Sequence, residues 1–177
     1  MALQYNVSTL LREPIGATRV YDIDDRALVD EAGPTHQRVV GEATFLRTKD
    51  SILVTAHLRG DHSGECSRCL CELALSLAID IEDEFFATSD AITGAGVPVP
   101  EDPDAFRIDA EHILDLEEAV RQYWNLGLPM QPLCRPDCQG LCPRCGSDLN
   151  DGACACPPDP DERWSSLREL VKQTEGS

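Results

Sequence analysis

Six of the chain's nine cysteines crowd into one stretch, Cys134-x3-Cys138-x3-Cys142-x2-Cys145-x8-Cys154-x-Cys156, and no other feature narrows the possible folds so far. Residues 129–158 set these thiols among Gly and Pro with almost no apolar periodicity. Such a segment cannot bury a hydrophobic face and needs another staple. Cys142-Pro143-Arg144-Cys145-Gly146 has the form of a metal knuckle. A C-x2-C turn aims two thiolates at one point, and the glycine after it permits the positive φ that turns backbone amides toward the sulfurs. A second pair, Cys66-Ser67-Arg68-Cys69, lies upstream, with Cys71 just beyond it.

Structural zinc takes four thiolates in a tetrahedron, so eight of these cysteines suffice for two sites. Spacing favours Cys142, Cys145, Cys154 and Cys156 as site 1, because the loop between the pairs closes locally. Cys66, Cys69, Cys134 and Cys138 then form site 2, which would tie the sheet to the tail. A partition that makes one local site of Cys134, Cys138, Cys142 and Cys145 competes with this one, as does a single site with idle cysteines. Iron suits such knuckles as well as zinc does, and colour separates the two. Cys71, beside Leu70 and Leu73, reads as a small buried hydrophobe.

The start, Met1-Ala2-Leu3-Gln4-Tyr5-Asn6-Val7, has neither a basic nor an apolar leader region, which predicts a cytoplasmic chain with reduced thiols. At 177 residues and 42% hydrophobic, the sequence supplies a core for one modest domain with a small appendage. No apolar run is long enough to cross a membrane. Acids outnumber Lys and Arg 32 to 15, a net charge of −17, which disfavours a broad grip on bare nucleic acid and favours cationic, basic-protein partners over a small-molecule substrate. Residues 80–118 hold 13 of the acids against Arg107 alone, so most of the excess is local. Within that stretch Glu101, Asp102 and Asp104 are the candidate partner-binding acids; a solvated, self-repelling face is the plainer alternative.

Alternation of apolar and polar residues marks strands across the first 85 or so positions. Val39, Gly41, Ala43 and Phe45 lead into Thr48–Ser51 as a turn, and Ile52, Val54, Ala56 and Leu58 return from it. Leu73, Leu75, Leu77, Ile79 and Ile81 form another strand, with shorter ones near 4–9 and 18–23. Residues 87–106 read as a mobile acidic loop. Asp109 is placed to cap a helix over 110–126, where Ile113, Leu116, Val120, Tyr123 and Trp124 share a face that covers the sheet. The expected organisation is α+β: an antiparallel, barrel-like sheet domain with its covering helix over 1–128, a cysteine-rich metal-binding segment over 129–158, and a short C-terminal helix and tail over 159–177. That last helix presents Trp164, Leu167 and Leu170 on one face, with Trp164 a candidate partner contact.

No phosphate-loop, dinucleotide, nucleophile-elbow or zinc-protease motif is present, and the four histidines are scattered, so an enzyme has little support. A thiol redox sensor and a zinc-ribbon module on transcription machinery are the alternatives to a structural metal protein that receives a partner.

Cys66-x-Arg-Cys69-Leu70 after a hairpin, Leu128-Pro-Met-Gln-Pro-Leu-Cys134 after a helix, Gly140-Leu-Cys142-Pro-Arg-Cys145-Gly146-x-x-Leu149-Asn150, and the final Trp164-x-x-Leu167 together resemble the bacterial and chloroplast YceD family, also called DUF177. The likeness runs from about Val39 to Leu170. It implies a non-enzymatic role in ribosome biogenesis, supporting accumulation of the 23S RNA of the large ribosomal subunit. The implied partner is a basic large-subunit ribosomal protein or a precursor particle, since family genes commonly neighbour that of a small basic ribosomal protein. Members that keep pairs matching Cys66/Cys69 and Cys134/Cys138 without the knuckle give a further reason to group those four.

Overall fold

The computed structural model describes residues 3–28 and 36–157. The described residues divide into two compact units, one running through Glu65 and again from Glu72 to Pro132, the other made of Cys66–Cys71 and residues 133–157. The first contains β1 (Gln4–Asn6), α1 (Ser8–Arg12), β2 (Thr18–Leu28), β3 (His36–Arg47), β4 (Ser51–Glu65), β5 (Glu72–Ala87), β6 (Phe106–Ile108), β7 (Ile113–Asp115) and α2 (Glu117–Gly127).

Five strands form one sheet in the order β2-β3-β4-β5-β6, and β1 pairs with β7 in a second, two-stranded sheet. All neighbours are antiparallel except β5 and β6, which are parallel. The expected turn is where the alternation puts it: β3 ends at Arg47, β4 begins at Ser51, and the Thr48 amide donates to the Ser51 carbonyl at 3.0 Å. The barrel-like expectation is corrected. Closure needs a ladder between the outer strands, and among the described residues β2 and β6 are not paired; β6, three residues long, pairs with Phe85–Ala87 of β5.

The alternating positions do bury one face. Phe45, Ile52, Val54, Ala56, Leu58, Ile79 and Ile81 are at most 4% exposed and pack with Ala119, Val120 and Trp124 of α2. Among the described residues Trp124 is the largest fully buried side chain. It lies over Gly60, where an added Cβ would come within 2.7 Å of the indole and 2.4 Å of the Arg38 carbonyl oxygen, so only glycine admits that close approach.

The covering helix begins at Glu117, seven residues later than its expected start. Asp109 caps a turn instead: its carboxylate accepts from the Ile113 amide at 2.7 Å, His112 takes a φ of 61°, and Ile113–Asp115 is then drawn into pairing with β1. Asp115 accepts from the Glu117 amide at 2.8 Å just before the helix. Residues 88–105 are more tied down than loop composition suggests, since the Asp90 carboxylate accepts from the Ile92 and Thr93 amides and Ser89 bridges to Gly96. Among the described residues no helix is long and apolar enough to cross a membrane. The expected C-terminal helix and Trp164 lie outside the described residues.

Candidate metal centres

Both C-x2-C pairs fold into the same turn. At Cys142 the Gly146 amide donates to the Cys142 carbonyl at 2.9 Å, and the Cys142 amide donates to the Ser147 carbonyl at 2.8 Å. At Cys66 the Leu70 amide donates to the Cys66 carbonyl at 2.9 Å, and the Cys66 amide donates to the Cys71 carbonyl at 2.8 Å. Gly146 sits at a φ of 71° and Leu70 at 60°, so the second knuckle places a leucine in the left-handed region that glycine ordinarily fills. This equivalence puts Cys71 and Ser147 at matching positions, five residues after the first thiol of each turn.

The turns and the tail bring together the same two foursomes that spacing favoured, Cys66/Cys69/Cys134/Cys138 and Cys142/Cys145/Cys154/Cys156, with the four Sγ atoms in each within 4.8 Å of one another. Four sulfurs around a zinc at ~2.3 Å stand at tetrahedron edges of ~3.8 Å. Cys69 and Cys134 are 3.7 Å apart and Cys66 and Cys138 are 3.8 Å apart, so the donor set has the spacing of a tetrathiolate centre. All nine cysteines are free thiols, and both foursomes fit a divalent cation in number, type and separation.

The surrounding donors favour thiolates. Backbone amides of the turn, that of Cys69 foremost, bring the Cys66 thiol down to about 6. The Ser147 hydroxyl and amide bring Cys145 to about 6. Cys142 is lowered by the Cys145 and Arg144 amides, and Cys138 first by the Asn150 side chain. In the opposite direction, the neighbouring Cys145 sulfur pushes Cys156 up to about 12. Close sulfurs cannot all ionise beside one another, and a dication at their centre removes that conflict.

Four residues outside the cysteine set hold this arrangement. The Asn150 carbonyl oxygen accepts from Arg135 at 2.7 Å and from the Gln139 amide at 2.8 Å, while its amide nitrogen lies 3.4 Å from the Cys138 sulfur. Arg68 donates to the Cys138 carbonyl at 2.8 Å, and its own carbonyl accepts from the Leu141 amide at 3.2 Å. Gly140, at a φ of 74°, leaves room there, since an added Cβ would meet the Arg68 carbonyl oxygen at 3.0 Å. Ser147 sits 3.2 Å from the Cys145 sulfur. Asn150 is visible in the sequence only as part of a motif; its reach to a sulfur twelve residues earlier has no local signal. Cys71 corrects the expectation of a buried hydrophobe, because its thiol is exposed.

The candidate partner-binding acids Glu101, Asp102 and Asp104 are exposed. The fold gathers Asp102 and Asp104 with Glu82, Asp83 and Glu84 of β5 in the lining of a groove of about 570 Å³, which Leu53, Phe86 and Phe106 also line. Spacing along the chain gave no sign of the β5 acids joining this set.

Residues 54–171 match the family described as large ribosomal RNA subunit accumulation protein YceD. An uncharacterized protein of Mycobacterium tuberculosis is 33% identical over 122 residues, which covers 69% of this chain and 56% of that protein. Large ribosomal RNA subunit accumulation protein YCED homolog 1, chloroplastic, of Zea mays is 31% identical over 64 residues, 36% of this chain and 22% of its own length. Its Arabidopsis thaliana counterpart of the same name is 28% identical over 67 residues, 36% of this chain and 21% of its own. The chain thus spans about half the length of the mycobacterial relatives and about a fifth of the chloroplast ones. No solved structure matches it. Since the family match covers more than half of the chain, from within β4 through both C-x2-C turns, this chain belongs to the YceD family.

Proposed function

We propose that the chain is a non-enzymatic, cytoplasmic assembly factor for the large ribosomal subunit that supports accumulation of its 23S RNA. The observation that carries this reading is membership of a family described by large ribosomal RNA subunit accumulation. The partner that fits best is a basic ribosomal protein, alone or within a precursor particle. Its acceptor is the acidic groove, which five carboxylates from two separate segments line together with apolar side chains. A cationic partner held there is shielded from other polyanions until it is delivered, and exposed charges of this kind raise association rate more than they slow release.

The two tetrathiolate foursomes are assigned to structural zinc, held by Cys142, Cys145, Cys154 and Cys156 at site 1 and by Cys66, Cys69, Cys134 and Cys138 at site 2. Zinc bound there supplies cross-links in place of a hydrophobic core. Asn150 and Arg68 orient the strands of chain that carry the thiols.

Depletion in the source cell tests this function. The expected outcome on a sucrose gradient is a fall in the large subunit relative to the small one, with immature 23S precursor. Normal subunit ratios and fully matured RNA would contradict it. Neutralising Glu101, Asp102 and Asp104 should slow capture of the basic partner with little change in its dissociation.

A further inference from the structure

The two knuckles differ at one matched position. Five residues after the first thiol, site 1 has Ser147, whose hydroxyl lies 3.2 Å from the Cys145 sulfur. Site 2 has Cys71, whose sulfur lies 3.4 Å from the Cys69 sulfur. That is closer than the 3.7 Å from Cys69 to its fellow ligand Cys134. A tetrahedral centre takes four sulfurs, and Cys71 is a fifth, outside the foursome, exposed, and in touch with one of its members. A serine in the same place can donate a hydrogen bond and cannot be oxidised to a disulfide.

We propose that Cys71 is an oxidisable thiol that opens site 2, by joining Cys69 in a disulfide, while the serine at the matched position leaves site 1 without that route. The proposal rests on the assignment of site 2 as a metal centre. With hydrogen peroxide as oxidant, the Cys71 sulfur attacks one peroxide oxygen, the O–O bond breaks, and the other oxygen departs as water, so Cys71 carries S–OH. The Cys69 sulfur then attacks the Cys71 sulfur; the S–S bond forms, the S–O bond breaks, and the hydroxyl leaves as a second water. Two thiols give up two electrons and two protons, and one peroxide becomes two waters. The electron pair that Cys69 would lend a metal is now in the S–S bond, so the foursome is reduced to three. The sulfurs need to close from 3.4 Å to a bond of ~2.05 Å. Reduction by a dithiol restores both thiols.

The experiment uses the full-length, zinc-loaded chain titrated with hydrogen peroxide, following released zinc with a chromophoric chelator and mapping thiols by differential alkylation and peptide mass. The expected result is release of one of two zinc ions at low peroxide, together with a Cys69–Cys71 linked peptide. Cys71→Ser, which gives site 2 the residue site 1 already carries, should slow that release about tenfold or more, because the exposed thiol is the one oxidised first. Ser147→Cys should confer the same sensitivity on site 1. Unchanged release from Cys71→Ser, or a first disulfide that leaves Cys71 unmodified, would overturn the proposal. If the purified chain carries no metal at site 2, the metal assignment fails by that measurement alone, and the thiol map still decides whether Cys69 and Cys71 pair.

Discussion

The sheet unit and the cysteine-rich unit solve the same problem with different interiors. In the first, the buried apolar residues among those described are Leu, Ile, Val, Phe, Ala and Trp, laid down by strand alternation and closed by one face of α2. In the second, the buried side chains among the described residues are those of Cys66, Cys69, Cys138 and Cys142, with Gly140 buried beside them. Removing apolar surface from water organises one; on the proposed metal assignment, drawing thiolates onto a common ion organises the other. A chain segment with few apolar residues can therefore be compact only while something holds its sulfurs together.

The strongest way to break this comparison is to remove metal. Chelation of the zinc-loaded chain should release amide protons of Cys66–Cys71 and 133–157 to fast exchange while β3, β4 and β5 keep theirs. The energy at stake is about 10–16 kcal/mol of apparent zinc binding per structural site. Equal loss of protection in both units would refute the division. The reciprocal change is Trp124→Ala, which empties the space between α2 and Gly60. It should cost about 3–5 kcal/mol in chemical denaturation of the sheet unit and leave zinc content unchanged. Loss of zinc in that variant would show that the interiors are not separable.

The smallest effect sharpens the helix end of the comparison. Arg121 donates to the Glu118 carboxylate at 2.8 Å, and this, before any other neighbour, holds the carboxyl below its usual range. A carboxyl lowered in the folded state adds stability above its unfolded pKa, and loses it as pH falls through the folded one. The Glu118 side chain is 51% exposed, so the pair is worth only about 0.3–0.5 kcal/mol. Glu118→Gln should lower the melting temperature slightly at neutral pH and not at all in acid, while a pH-independent loss would mean that packing, not charge, is affected.

Much of the sheet was legible because period-two alternation has a single physical cause, one buried face, and every second residue is apolar or glycine from Val39 to Phe45 and again from Ile52 to Leu58. The grouping of thiols was legible for a similar reason: a C-x2-C turn constrains its own geometry whatever surrounds it. Competition between local and distant partners hid the rest. Asp109 had the residue type of a helix cap, yet Ile113–Asp115 gained a strand partner in β1 more than a hundred residues away. Barrel closure depended on whether outer strands meet, which no local pattern encodes. Cys71 sat among leucines in sequence, but a left-handed Leu70 turns the chain so that the thiol faces solvent and Cys69.

The central claim, that two tetrathiolate centres replace a hydrophobic core in the cysteine-rich unit, is tested most directly by elemental analysis of the purified full-length chain beside Cys142→Ser and Cys66→Ser. The account predicts two equivalents of zinc in a colourless protein and loss of one, from a different foursome, in each variant. A single equivalent lost in Cys142→Ser, with Cys66→Ser leaving metal content unchanged, would contradict it.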